Sequence, residues 1–179
     1  MQPRVPEPTE AADPAWNREA WLLEPDSVQR ALDVLAPRSA GQVVREAFYG
    51  TRRFDDFRRH TGLTPGVLSA RLRDLTDQGI LTKVAYHDSG SRRRHEYRLT
   101  DKGRDLAAAI ISLLNWADRW LPSPGGPTVV LAHRGCGASI RTELRCADGH
   151  PVDSLGDVQA APGPGAREAA DPAGGTRDR

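Results

Sequence analysis

The spacing of apolar residues changes period twice between Asp26 and Leu121, and those changes mark out the elements of the chain. Asp26 or Ser27 can cap a helix in which Val28, Ala31, Leu32 and Leu35 follow an i, i+3, i+4, i+7 spacing, and Pro37 ends it. A second helix is expected from Ala40 to Phe48, with Val43, Val44, Ala47 and Phe48 inward, closing before Gly50. A third begins at Arg53, places Phe54 and Phe57 three residues apart, and breaks at Thr61-Gly62-Leu63. Thr64 as N-cap and Pro65 in the first helical position then open a fourth helix. Leu68, Leu72 and Leu75 form its buried stripe, and Gly79 stops it.

From Ile80 to Tyr86 the pattern becomes that of a strand, and His95 to Leu99 returns as its partner across the basic turn 88–94. A long helix is expected from Asp101 to Leu121, and Thr128-Val129-Val130-Leu131 reads as a further strand, with residues 138–145 as a second. The fold class implied is mainly α with a β-hairpin wing: a helix-turn-helix followed by a hairpin, flanked by helices that suit dimerisation. The long helix carries Leu106, Ile110, Leu113, Leu114, Ala117, Trp120 and Leu121, widened by Ile111 and Trp116. That is more apolar surface than one small domain covers, which points to a second copy of the chain.

Composition divides the 179 residues further. Residues 1–14, with four prolines, read as a disordered arm; 15–121 hold the winged helix-turn-helix with its dimerisation helices; 122–156 form a small β or knuckle-like extension. The Ala-, Pro- and Gly-rich stretch 157–179 reads as a disordered tail. No apolar run of about 18 residues occurs, and the acidic, Pro-rich start does not resemble a secretory signal. With only two cysteines, Cys136 and Cys146, the expectation is a cytoplasmic protein without a disulfide framework and without a membrane partner.

Charge changes the picture more than composition does. The net charge of +1 conceals −4 over residues 1–37, +6 over 38–100 and −1 over 101–179. The positive excess coincides with the helix-turn-helix pattern, and a polyanion senses charge within about a Debye length, roughly 8–10 Å. Double-stranded DNA is therefore the expected partner. On the fourth helix the face opposite the leucines starts with small residues, Gly66 and Ala70, beside Ser69 and Arg73. Thr64, Ser69 and Arg73 are candidate base readers, with Arg73 foremost because arginine pairs bidentately with guanine. Arg52 and Arg53 could hold phosphates, and Arg92, Arg93 and Arg94 suit backbone or minor-groove contact at the wing. Arg71 points sideways, toward either DNA or an acid.

The blocks Val44-Arg45-Glu46-Ala47-Phe48-Tyr49-Gly50-Thr51-Arg52-Arg53-Phe54-Asp55-Asp56-Phe57, Val67–Leu75 and Arg94-His95-Glu96-Tyr97-Arg98-Leu99-Thr100-Asp101-Lys102-Gly103 resemble the HxlR-type winged-helix regulators, distant relatives of the MarR family. The likeness spans roughly residues 26–121. It implies a homodimer assembled through terminal helices, a recognition helix beginning near Thr64 and a wing at 88–94. Two departures stand out. Many members have a cysteine where Asp26 and Ser27 stand here, which excludes a thiol sensor at that position. Many also have a tryptophan in the segment that here reads Arg38-Ser39-Ala40-Gly41.

The extension offers a second chemistry. His133-x2-Cys136 and Cys146-x3-His150 could hold a structural zinc tetrahedrally; the alternatives are two reduced thiols or a Cys136–Cys146 redox pair. Enzyme readings find little support. Adjacent Asp55 and Asp56 point about 100° apart on a helix, and His60, His87 and His95 have no identifiable nucleophile or acid beside them. The function expected is a sequence-specific DNA-binding transcriptional regulator, a repressor in its simplest form, with an unidentified effector. The alternative is a winged-helix protein-interaction module without specific DNA binding; the basic cluster at 92–94 argues against it.

Overall fold

The computed structural model describes residues 17–22, 26–35, 37–87 and 93–169. These fall into two units, residues 28–142 and a second made from the two ends of the chain, 1–27 with 143–179. The expected N-terminal arm, 1–14, lies outside the described residues.

The larger unit holds helices α1 (Ser27–Leu35, whose first residue belongs to the other unit), α2 (Arg38–Phe48), α3 (Phe54–Thr61) and α4 (Pro65–Asp77). Strands β2 (Leu81–His87) and β3 (Arg93–Leu99) follow, then α5 (Asp101–Asp105) and α6 (Ala107–Trp120). Strand β1 (Trp21–Leu22) precedes them in the chain, in the other unit. β2 and β3 form an antiparallel hairpin in the register Leu81↔Leu99 to His87↔Arg93. The fold is a winged helix, mainly α with a β wing.

The core is built by the predicted stripes. Val43, Val44 and Ala47 from α2, Phe57 from α3, and Leu68, Leu72 and Leu75 from α4 are buried together with Ile80 and Leu81. Fully burying side chains of this size contributes roughly 1.5–3 kcal/mol each, so the three leucines of α4 alone fix which face of that helix turns inward. Phe54 and Tyr97 pack against the cluster from the side, and the Phe57 and Tyr97 rings meet edge-on at 6.4 Å.

The turn between α3 and α4 follows from three residues. Gly62 caps α3 at φ 68°, a conformation glycine adopts without a Cβ clash, and its N–H donates to the Arg58 carbonyl. Thr64 then sits extended and caps α4, its hydroxyl accepting from Val67 N–H at 3.5 Å, with Pro65 in the first turn.

Beyond the wing, Thr100 caps α5 and ties it to the end of α4: its Oγ1 donates to the Gly79 carbonyl at 2.6 Å and its N–H to the Ile80 carbonyl at 3.0 Å. Gly103 is buried directly against that same carbonyl, so close that no Cβ could stand there. The single helix expected over 101–121 is divided at Leu106, whose side chain packs on the core.

Among the described residues, two surfaces of this unit lack a covering. α1 has no buried residue: Val34 and Leu35 lean on the core, while Val28 and Leu32 are exposed. α6 has none either, and Leu113, Trp116 and Trp120, with Leu121 just beyond, stay in the open.

The smaller unit pairs β1 antiparallel with β4 (Arg167–Glu168). The tail expected to be unstructured from 157 thus contributes a strand. The two strands expected around 128–131 and 138–145 are not present among the described residues. In the larger unit, Ile140 N–H donates to the Leu131 carbonyl and Ala132 bridges Ser139, closing a tight turn around residues 133–138. In the smaller unit Arg145 bridges Pro151 in the same manner. Gly and polar residues between the apolar positions leave too little side-chain area to hold a longer ladder. No helix among the described residues is long and apolar enough to cross a membrane.

Candidate nucleic-acid interface

The exposed side of α4 carries Pro65, Gly66, Ser69 and Arg73, opposite the buried leucines. The major groove, about 12 Å wide, admits an α-helix. The first turns of α4 present nothing bulkier than Val67 on this side. Gly66 has open space around it. Arg73, two turns along, is exposed and has no ion-pair partner among the described residues.

That distinction sorts the cations of the segment. Arg45, Arg59 and Arg98 are paired with Glu46, Asp56 and Glu96. Arg52, Arg58, Arg73 and Lys83 have no acidic partner among the described residues. Arg53 lies over the Tyr86 ring at 4.9 Å, an orientation that holds its guanidinium beside the wing. Arg71, left open between DNA and an acid by the sequence, pairs with Asp74 at 3.1 Å. Its Nε is buried without a hydrogen-bond partner, and it lines a small hollow with Asp33, Val34 and Ala40, so it braces α4 against the earlier helices.

The wing is fixed to the helix-turn-helix by the backbone. Tyr97 N–H donates to the Arg52 carbonyl at 2.8 Å and Arg53 forms an isolated β-bridge with Glu96, which ties the residues entering α3 to β3. Arg94 is exposed on β3 opposite Tyr86. Arg93 pairs through its backbone with His87, and Arg92 with the rest of the expected wing tip lies outside the described residues.

One cluster is not predicted by the sequence pattern. Glu46, on the buried side of α2, is 8% exposed. Arg45 donates to its Oε1 at 2.8 Å, while Thr51 Oγ1 and His60 Nδ1 both lie 3.3 Å from its Oε2. Thr51 and His60 are themselves 3.1 Å apart. The cluster joins the end of α2 to the last turn of α3 and so helps to set the first helix of the motif. A signal was available: Glu46 falls on the apolar stripe between Val43 and Ala47.

In the extension, each half of the expected metal set forms its own close pair. Cys136 Sγ lies 3.4 Å from His133 Nδ1, and Cys146 Sγ lies 3.5 Å from His150 Nδ1. The two pairs belong to different units. Both cysteines are exposed and unbridged.

Residues 34–124 match the HxlR-like helix-turn-helix family, just over half of the chain. The chain belongs to that family. This HxlR-like protein is 42% identical over 143 residues to the uncharacterized HTH-type transcriptional regulator Rv3095 of Mycobacterium tuberculosis, covering 80% of this chain and 89% of the relative. A match of that length within 179 residues must reach residue 143 or beyond, so part of the extension is shared with the mycobacterial protein. The HTH-type regulator YvaP of Bacillus subtilis, 31% identical, covers 52% of this chain and 85% of its own length. Among solved structures, the transcription factor described as PA1607 superposes with a TM-score of 0.67 at 34% identity, covering 77% of this chain and 95% of that one. A second transcription factor, PA1374 of Pseudomonas aeruginosa, gives 0.54 at 30% identity, covering 76% and 91%. The family and these relatives are transcriptional regulators rather than enzymes.

Proposed function

We propose that this HxlR-like chain is a cytoplasmic, homodimeric repressor that reads a two-part operator, with α4 in the major groove and the wing on the flanking backbone. The observation that carries the reading is the exposed face of α4: small residues lead, and Arg73, with no ion-pair partner among the described residues, follows as the candidate guanine reader. Arg52, Arg53 and Arg58 at and within α3, with Arg94 on the wing, supply the phosphate contacts that set register without reading sequence. Arg92 and Arg93 are assigned to the same backbone role. Thr64 caps α4 and Ser69 lies on its outer face, where both can reach the groove wall. Arg71 is assigned to bracing rather than to contact.

Dimerisation is supported by the exposed apolar residues of α1 and α6, surfaces that a second copy of the chain would cover. Two heads then meet half-sites about one helical turn apart, roughly 34–36 Å. Repression follows from occupying a promoter.

The test is fluorescence anisotropy with DNA from upstream of the chain's own gene, across a range of salt. Specific binding should exceed binding to unrelated DNA, and log affinity should fall linearly with log salt concentration. Arg73→Ala should cost about 1–3 kcal/mol on the cognate site and relax its specificity. Binding that ignores both sequence and salt would refute the reading, and a deletion strain with unchanged target transcripts would refute repression.

A further inference from the structure

Beyond DNA binding, we propose that the turn Cys146–His150 is a site for a single zinc-class divalent cation, held by Cys146 Sγ, Asp148 carboxylate and His150 Nδ1. These three ligand atoms lie within 4.8 Å of one another, and all three side chains are exposed, so an ion reaches them without opening the fold. The geometry fits the ion. Zinc takes sulfur at about 2.3 Å and imidazole nitrogen at about 2.0–2.1 Å, so two tetrahedral ligands of these kinds stand roughly 3.6 Å apart. Cys146 Sγ and His150 Nδ1 are already 3.5 Å apart. The Asp148 carboxylate lies within 4.8 Å of both other ligand atoms, and rotation of its short side chain adjusts that approach.

The backbone keeps the ligands in place. Cys146 N–H donates to the His150 carbonyl at 3.0 Å and Gly149 N–H to the Cys146 carbonyl at 2.9 Å, so the loop is closed on both sides. Arg145 Nη1 holds the Gly149 carbonyl at 2.9 Å from outside, and its own charge is taken up by Glu143 at 3.0 Å. A thiolate, a carboxylate and a neutral imidazole bring two negative charges to a divalent ion, with water as the fourth ligand. On binding, the thiol releases its proton to solvent as the metal–sulfur bond forms, so uptake weakens as pH falls. The pair His133–Cys136 has a matching 3.4 Å separation but offers two ligand atoms, too few to hold the ion by itself.

The test uses the full-length, reduced protein with any histidine tag removed, titrated with cobalt(II) alone and then with zinc(II) alone. Wild type should take up one cobalt per chain, with a sulfur-to-cobalt charge-transfer band that zinc abolishes. Cys146→Ser should remove the band, and His150→Ala and Asp148→Asn should each weaken cobalt affinity roughly ten-fold or more. The double variant His133→Ala with Cys136→Ser should keep both band and stoichiometry. Far-UV circular dichroism of each variant checks the fold, and His150→Ala stands in for Cys146→Ser if the latter fails to fold. Absence of saturable uptake, uptake indifferent to Cys146 and His150, or loss of the band in the His133/Cys136 variant would each overturn the assignment. None of these readouts depends on DNA binding, so failure of this site and failure of the regulator reading are separable.

Discussion

Replacing Gly103 by alanine should destabilise the domain although alanine is the better helix former. A Cβ at this position would stand 2.2 Å from the Ile80 carbonyl oxygen and 3.0 Å from Leu99 Cδ2. Ordinary carbon-to-oxygen contacts lie at about 3.3–3.6 Å, so α5 would have to withdraw by about 1 Å. The same carbonyl accepts from Thr100 N–H at 3.0 Å. That bond would stretch, a contribution of about 1 kcal/mol. Overpacking of this kind costs about 1–3 kcal/mol, against about 1 kcal/mol gained from helix propensity. The net expectation is a loss of about 1–3 kcal/mol, the overpacking and the hydrogen bond less the propensity gain. Urea unfolding followed by far-UV circular dichroism, at fixed protomer concentration, reads it as a lower midpoint with an unchanged slope. Gly66→Ala is the control: nothing lies within 4 Å of its Cβ position, so it should be neutral or stabilise by up to about 1 kcal/mol. A Gly103→Ala midpoint at or above wild type would refute the close-approach argument.

Other expectations follow from the same structure. Leu113→Glu, at a site 64% exposed in the single chain, should leave each domain folded but yield monomers in analytical ultracentrifugation and weaken operator binding; a stable dimer would exclude this face. Arg71→Ala should lower thermal stability while leaving the salt dependence of DNA binding unchanged, since its guanidinium is held by Asp74; a shallower salt slope would return it to the phosphate contacts. Burial pushes the Tyr97 phenol above its usual 10.0. The unfolded chain then loses that proton first, so the contribution to stability is complete below pH 10 and is lost as pH rises through the folded value. Comparing alkaline absorbance titrations of wild type and Tyr97→Phe should place the missing component above pH 10; a component at or below it would contradict the burial.

The helix-turn-helix was legible because local rules and burial agree there. Thr64-Pro65 starts α4, Gly62 ends α3, and the leucines at 68, 72 and 75 leave one face to turn inward. The wing strands were legible from their alternation, although both extend further toward the turn than the pattern implied. What escaped the sequence depends on distance along the chain. Arg71 stands three residues before Asp74, but the hollow it shares with the distant Asp33, Val34 and Ala40 exists only in the fold. The Glu46–Thr51–His60 cluster joins residues up to fourteen positions apart; the apolar stripe marks Glu46 as out of place but does not name its partners. The pairing of Trp21–Leu22 with Arg167–Glu168 is two residues long and spans nearly the whole sequence. In the extension, hydrogen bonds made by single residues replace the strands that the β-branched run at 128–131 suggested.

The backbone tie from Arg52 and Arg53 to β3 has a mechanical consequence. Because the chain entering α3 is hydrogen-bonded to the wing, the two elements assigned to the DNA backbone, α3 and the wing, move as one stiff plate. A tilt of either carries the other with it, and the span between them on the duplex is set within each head. In the proposed dimer, adjustment to an operator of the wrong spacing would then have to come from the joint between the two heads, where α1 and α6 meet their copies. Such a regulator works as a caliper: its jaws are rigid, and its reading is set at the pivot.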